Sequence, residues 1–215
     1  MNWFIVEKPA ERPEVVSHYS HWKEALAVEG RYQCVYCAIA EASFGGRRNF
    51  HVEHFRPKSK FPDLLLDYFN LFYACAICNT FKGNDWPSEP VHDHTVATYP
   101  MPSAVDYSSL MVMDTDYTLR GCCTAGTYLV WRLALNRAQL VRERRMFVLL
   151  RRMDNLRESG FGALEQSLGD DDEAVQLNGR AVLTALRELM AAREELRSSR
   201  PYGADEAGRA GEEDE

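Results

Sequence analysis

Two C-x-x-C turns constrain this chain more than anything else in it: "CVYC" supplies Cys34 and Cys37, and "CAIC" supplies Cys75 and Cys78. Each turn lets two thiolates converge on one cation, and two such turns complete a tetrahedron. Four thiolates favour zinc, close its coordination shell and leave no position for a substrate, so the expected metal is structural. Binding of this kind contributes about 10 kcal/mol or more toward folding. The two pairs lie further apart than in a simple zinc ribbon, so the residues between them must loop out as an insertion.

A metal role for the thiols requires that they stay reduced. The first residues, "MNWFIVEKPAERP", place an acid and a proline where a signal peptide would be apolar. The longest apolar run, Leu71 to Cys78, is far shorter than the roughly 18 residues of a membrane span. The expectation is a cytoplasmic protein without membrane contact. The chain is 46% apolar and 27% charged, which supports a buried core and excludes wholesale disorder. Its net charge of −7 is concentrated in Asp170–Glu173 and in the tail after Pro201; the remainder carries +2. Local basic surface is therefore compatible with an acidic total.

The insertion holds "NFHVEHFRPKSK", with His51, Glu53 and His54 followed by Arg56, Lys58 and Lys60. A zinc clamp would bring Glu53 and His54 toward Asn79 and Lys82, which lie three residues apart on one helical face. Cys78 points about 100° away from Asn79, toward the metal. Carboxylate and amide oxygens are hard ligands suited to Mg²⁺ or Mn²⁺. An imidazole takes a proton from water near neutral pH. Together with an ammonium, these groups suit hydrolysis of a phosphodiester.

The span from Cys34 to Asn84 resembles an HNH, or ββα-metal, nuclease motif of the kind stabilised by a four-cysteine zinc site. Glu53–His54 matches the first signature position, Asn70 in "YFNLFYAC" the middle asparagine, and Asn79 in "CNTFKGN" the third position, at the family's nine-residue step from Asn70. The resemblance implies His54 as general base and Glu53 and Asn79 as ligands of the catalytic metal. It also implies that Asn70 structures a loop whose backbone carbonyl orients His54, and that Lys82 faces phosphate. Colicin-type members carry a further histidine four residues after the third position; here that residue is Gly83. Fewer protein ligands favour Mg²⁺ or Mn²⁺ over a transition metal. A narrower likeness, in "VEHFRPKSK", "NLFYACAICNTFKGN" and "LALNRAQLVRERR", is to the HNH subunits of Septu-type and retron-associated anti-phage systems. It implies cleavage of DNA or RNA beside an ABC/SMC-like ATPase. The rival from another class is a non-catalytic zinc module that binds nucleic acid or docks a protein.

The expected fold is α+β, with a zinc-clamped ββα core embedded among flanking α-helices. Residues 1–30 form an N-terminal helical segment, with apolar spacing from Val15 to Val28. Residues 31–84 form the core, 85–123 an irregular connection, 124–200 a C-terminal helical region and 201–215 a disordered acidic tail. Helices are expected over about 125–135, from Asn136 with a capping-box-like Gln139, and over about 173–197 behind the acidic cluster. His51, Arg56 and Lys58 are possible substrate contacts, with Lys60 beside them. The basic helix from Arg137 to Arg157 is an interaction surface or a solvated face. His92 and His94 form an isolated H-x-H, and Cys122 and Cys123 an inert pair.

Overall fold

A single 3₁₀ turn at Tyr19–Trp22 leads into the first helix, α1 (Lys23–Glu29), in the computed structural model, which describes residues 2–11, 13–14, 17–90, 94–167 and 173–198. The helix is shorter than the spacing from Val15 predicts; Val15 and Val16 lie outside the described residues. Leu26 and Ala27 form its buried face, and the Gly30 N–H closes its end on the Leu26 carbonyl. Lys8 fastens the preceding segment, its Nζ donating to Glu29 at 2.9 Å and to the Leu71 carbonyl at 2.6 Å.

The first cysteine pair sits in a tight turn. Cys34 N–H bonds the Ile39 carbonyl, Ala38 N–H bonds the Cys34 carbonyl, and Ala38 takes a left-handed φ of 55°. Val35 N–H then joins the Tyr73 carbonyl, laying this turn on the sheet behind it. That sheet is antiparallel, β1 (Phe50–His54) against β2 (Leu71–Cys75), with Phe50 opposite Cys75 and His54 opposite Leu71. Phe50 stacks on Tyr73 with ring centroids 4.8 Å apart, a same-face aromatic pair that fixes register. All five residues of β2 are buried, so it is the central layer of the core. α2 (Ala76–Lys82) starts directly from β2 because the Cys75 sulfur accepts the Cys78 N–H as an N-cap. The expected ββα arrangement is thus present as strand, strand and helix.

The segment expected to be irregular contains a short hairpin, β3 (Met111–Met113) against β4 (Leu119–Gly121). It packs on α3 (Thr124–Arg132), whose N-cap is the Cys123 sulfur on Gly126 N–H. α3 is tied to the exit of α2 through Asp85, whose Oδ2 accepts from Tyr99, Tyr128 and the Arg132 Nε. Asn136 does not cap the next helix, α4 (Ala138–Ser167): its amide pairs with both the N–H and the carbonyl of Leu119. Arg144 is likewise no surface charge; it is buried and donates to the carbonyls of Tyr117 and Leu135. α5 (Glu173–Ser198) is the last described element, so the expected acidic tail lies outside the described residues.

The chain divides into two compact units, Met1–Arg144 and Arg145–Glu215, with the division inside α4. No helix among the described residues is long and apolar enough to cross a membrane.

Where β4 meets α3, a Cβ on Gly126 would stand 2.0 Å from the Leu110 carbonyl oxygen. Gly126→Ala should therefore lower stability by about 1–3 kcal/mol despite alanine's better helix propensity. Urea unfolding followed by circular dichroism measures it; an unchanged or raised midpoint would contradict the packing described.

Candidate active site and metal centre

Cys34, Cys37, Cys75 and Cys78 are all buried, and their sulfurs lie within 4.8 Å of one another. The Cys37–Cys75 sulfur separation is 3.8 Å, the edge length of a tetrahedron whose corners are about 2.3 Å from a central zinc. None of the four is in a disulfide. Burial pushes the Cys34 thiol well above its ordinary range, so four thiolates in this place require a cation to be stable. The site is positioned to hold a metal ion and fits a structural zinc.

Beside this centre, Glu53, His54 and Asn79 line a common cavity of about 460 Å³. β1 delivers the first two at its end, and the first turn of α2 delivers the third. His54 is largely buried, with its Nε2 at 3.1 Å from the Leu65 carbonyl. A carbonyl only accepts, so Nε2 carries the hydrogen and Nδ1 keeps the lone pair of the neutral ring. Burial, reinforced by Lys58 and Lys82, holds the ring's pKa below its ordinary 6.5.

Asn70 governs the loop that supplies that carbonyl. Its Oδ1 accepts from Arg56 N–H at 2.8 Å, and its Nδ2 donates to the carbonyls of Arg56 at 3.1 Å and Leu64 at 3.4 Å. Its own carbonyl accepts the Phe55 N–H. One amide therefore joins Arg56, two residues after the histidine, to Leu64, the neighbour of Leu65.

Lys82 is found in a different place from the phosphate-facing one expected of it. It is fully buried, its Nζ 2.7 Å from Glu53 Oε1 and 3.0 Å from the His54 carbonyl, under the Tyr99 ring. The cause is the burial of Glu53: a carboxylate inside the core must find a cation. Tyr36 adds a hydrogen bond to the same oxygen at 3.3 Å. Burial still raises the Glu53 pKa, with Lys82 opposing it.

The basic residues after His54 diverge. Lys58 lines the cavity and rests on Tyr19, with Nζ 3.3 Å from the hydroxyl. Arg56 turns instead onto Glu89 at 2.8 Å, beside Phe61 and Trp86, and Lys60 reaches the Trp86 carbonyl. His51 is exposed and lines the cavity. Sequence reasoning missed the N-terminal contribution: His18, Tyr19 and Lys23 complete the wall, and the Tyr19 ring meets His54 edge-on at 4.7 Å. The only available sign was the aromatic and basic content of "SHYSHWK". Of the H-x-H pair, His92 lies outside the described residues; His94 Nδ1 is buried without a hydrogen-bond partner. Cys122 is exposed and Cys123 serves as the α3 cap.

No family model matches the chain, and no solved structure matches it. Among curated proteins, the chain is similar to Septu protein PtuB of Bacillus thuringiensis, with 38% identity over 79 residues. The match covers 35% of this chain and 29% of that protein, so the chain spans under a third of its relative's length.

Replacing Lys82 by Met should cost about 3–5 kcal/mol of stability, because it strands Glu53 as an unpaired buried charge. The double variant Lys82→Met, Glu53→Gln should recover much of that loss. Denaturant titration of the two proteins checks this; a lysine whose role was to meet phosphate would leave the midpoint unmoved. Metal analysis should return one firmly held zinc per chain, absent after Cys78→Ser.

Proposed function

We propose that this chain is a metal-dependent HNH endonuclease that hydrolyses phosphodiester bonds of DNA or RNA. The observation that carries the reading is that the adjacent pair Glu53 and His54 and the distant Asn79 line one cavity, with the His54 tautomer set by the Leu65 carbonyl. The donor set suits a hard dication. Both contacts to Glu53 fall on Oε1, which leaves Oε2 and the Asn79 amide oxygen as the groups that would hold Mg²⁺ or Mn²⁺. Such an ion supplies charge neutralisation at the scissile phosphate and leaving oxygen.

The remaining work belongs to the chain. His54 is neutral at physiological pH because its pKa is depressed, so Nδ1 is ready to take a proton from the attacking water. As that proton arrives, the Nε2–H bond to Leu65 strengthens and spreads the new positive charge. Asn70 keeps the Leu65 carbonyl in place, and Lys82 holds Glu53 in one orientation and favours its ionised form against burial. Lys58, His51 and Lys23 border the cavity where the flanking phosphates of a strand would lie.

The similarity to a Septu protein supports a second part of the proposal, that the nuclease is the effector of a cytoplasmic anti-phage complex containing an ABC/SMC-like ATPase. A specific observation favours the non-catalytic rival: Glu53 already has a buried cation in Lys82. Plasmid DNA and RNA incubated with the protein and Mg²⁺ or Mn²⁺, with and without the co-expressed ATPase, separate the two. His54→Ala is expected to lower cleavage by about 100-fold or more. Equal activity of the two proteins, or none in any arm, leaves the docking module.

The pH profile gives an independent check. The active ring is the unprotonated one, so the rate should rise with pH through a midpoint below 6.5 and then level. A midpoint above that value would exclude His54 as the base.

A further inference from the structure

Arg137 was grouped by sequence with a basic helix face, yet its guanidinium lies on the metal centre. Nη2 is 3.6 Å from Cys37 Sγ, 3.8 Å from Cys75 Sγ and 3.6 Å from Cys78 Sγ, and Nη1 is 3.7 Å from Cys78 Sγ. These are N–H···S distances, made to three of the four sulfurs by one planar group from a residue 59 to 100 positions along the chain. Nη1 also donates to the carbonyls of Leu133 at 3.1 Å and Ala134 at 3.4 Å. Those bonds hold the guanidinium against the sulfurs at the junction of α3 and α4.

The chemistry of the centre explains why a cation belongs there. A zinc ion with four thiolates is a dianion, and this one is sealed from water, where an unbalanced charge is costly. Arginine is the cation best suited to such a place, being always charged, weakly hydrated and able to present several donors in one plane. Hydrogen bonds to metal-bound sulfur withdraw electron density from it, which lowers its reactivity and tunes the metal.

We infer that Arg137 is the counter-charge of the four-cysteine centre, binding its sulfurs from outside so that zinc is held tightly and the thiolates resist release and oxidation. The inference rests on the structural-zinc reading of the cysteines and is independent of nuclease activity.

Two measurements on the full chain test it. Competition with a chromophoric chelator reads zinc affinity, and cobalt(II) substitution reads the sulfur-to-metal charge-transfer band. Arg137→Met should hold zinc about 10–100-fold more weakly. Its cobalt band should move to lower energy, because the sulfur lone pairs rise once the N–H bonds and the charge are gone. Arg137→Lys, which keeps the charge and loses the planar fork, should fall between. Arg142→Met, an exposed neighbour on α4, should match the wild type in both. Wild-type zinc affinity together with an unmoved band in Arg137→Met would overturn the inference, and so would a lowered melting temperature with the band unmoved, since that marks a purely architectural arginine. If Arg137→Met does not accumulate as folded protein, the same readings on Arg137→Lys decide, and identity with the wild type overturns the inference there too. A wild-type chain that takes up neither zinc nor cobalt removes the premise instead.

Discussion

The convergence of four sulfurs on one point is the constraint from which the rest of the first unit follows. It joins the end of a tight turn at Cys34–Cys37 to the point where β2 becomes α2. Cys75 has two tasks at once, as a candidate ligand and as the N-cap that lets a seven-residue helix begin without a connecting loop. An isolated helix of that length is marginal in water. Here its first turn is fixed by a sulfur cap and its last by Lys82 reaching the carbonyl of His54. The same two attachments set the separation between Asn79 and the end of β1, and so the dimensions of the cavity.

A second dependency runs through the buried pair of Glu53 and Lys82. The cost of burying a carboxylate is offset only by a partner of opposite charge with good geometry. The partner comes from α2, so helix and strand can be placed correctly only together. Tyr36, from the turn between the first two cysteines, hydrogen-bonds the same oxygen. Metal centre and cavity therefore share a wall: loosening the Cys34–Cys37 turn would displace a group on Glu53, and loss of a bound metal would reach the cavity residues without touching them. Arg137 extends this outward, connecting the α3–α4 junction to sulfurs that also organise the strands.

Legibility in the sequence followed the range of the forces involved. The cysteine pairs were readable because they depend on local spacing and residue chemistry, whereas the strand–strand–helix order around them was expected from a resemblance and not from any periodicity of these short elements. The hairpin at Met111–Gly121 was not: three-residue strands are too short to show alternation, and the turn between them places Tyr117 at a φ of 68° that nothing in its side chain announces. Lys82, Arg137 and Arg144 were misplaced for one shared reason. A lysine or arginine reads as solvated until a distant carboxylate, sulfur or carbonyl draws it inside. The wall formed by His18, Tyr19 and Lys23 was missed because a short N-terminal segment carries no motif, and long-range contacts bring that end of the chain to the sheet, among them Lys8 to Glu29 and Leu71 and the Trp3 Nε1 bond to the Tyr36 carbonyl.

The departure from the colicin-type pattern at Gly83 also has a local cause. α2 ends there with a φ of 51° and a ψ of −130°, a conformation that a side chain occupies only at a cost of about 1–3 kcal/mol. The Gly83 N–H still bonds the Asn79 carbonyl, so the turn that strains the backbone is the one that ends the helix. A histidine at this position would have to extend the helix or distort the turn that sends the chain on to Asp85, whose carboxylate gathers Tyr99, Tyr128 and Arg132. The glycine thus serves the attachment of α3 to the core, and the cavity keeps an open side where a third protein ligand would stand. For the proposed catalytic ion, that opening is a place for water, which suits a cation that gives up its hydration reluctantly.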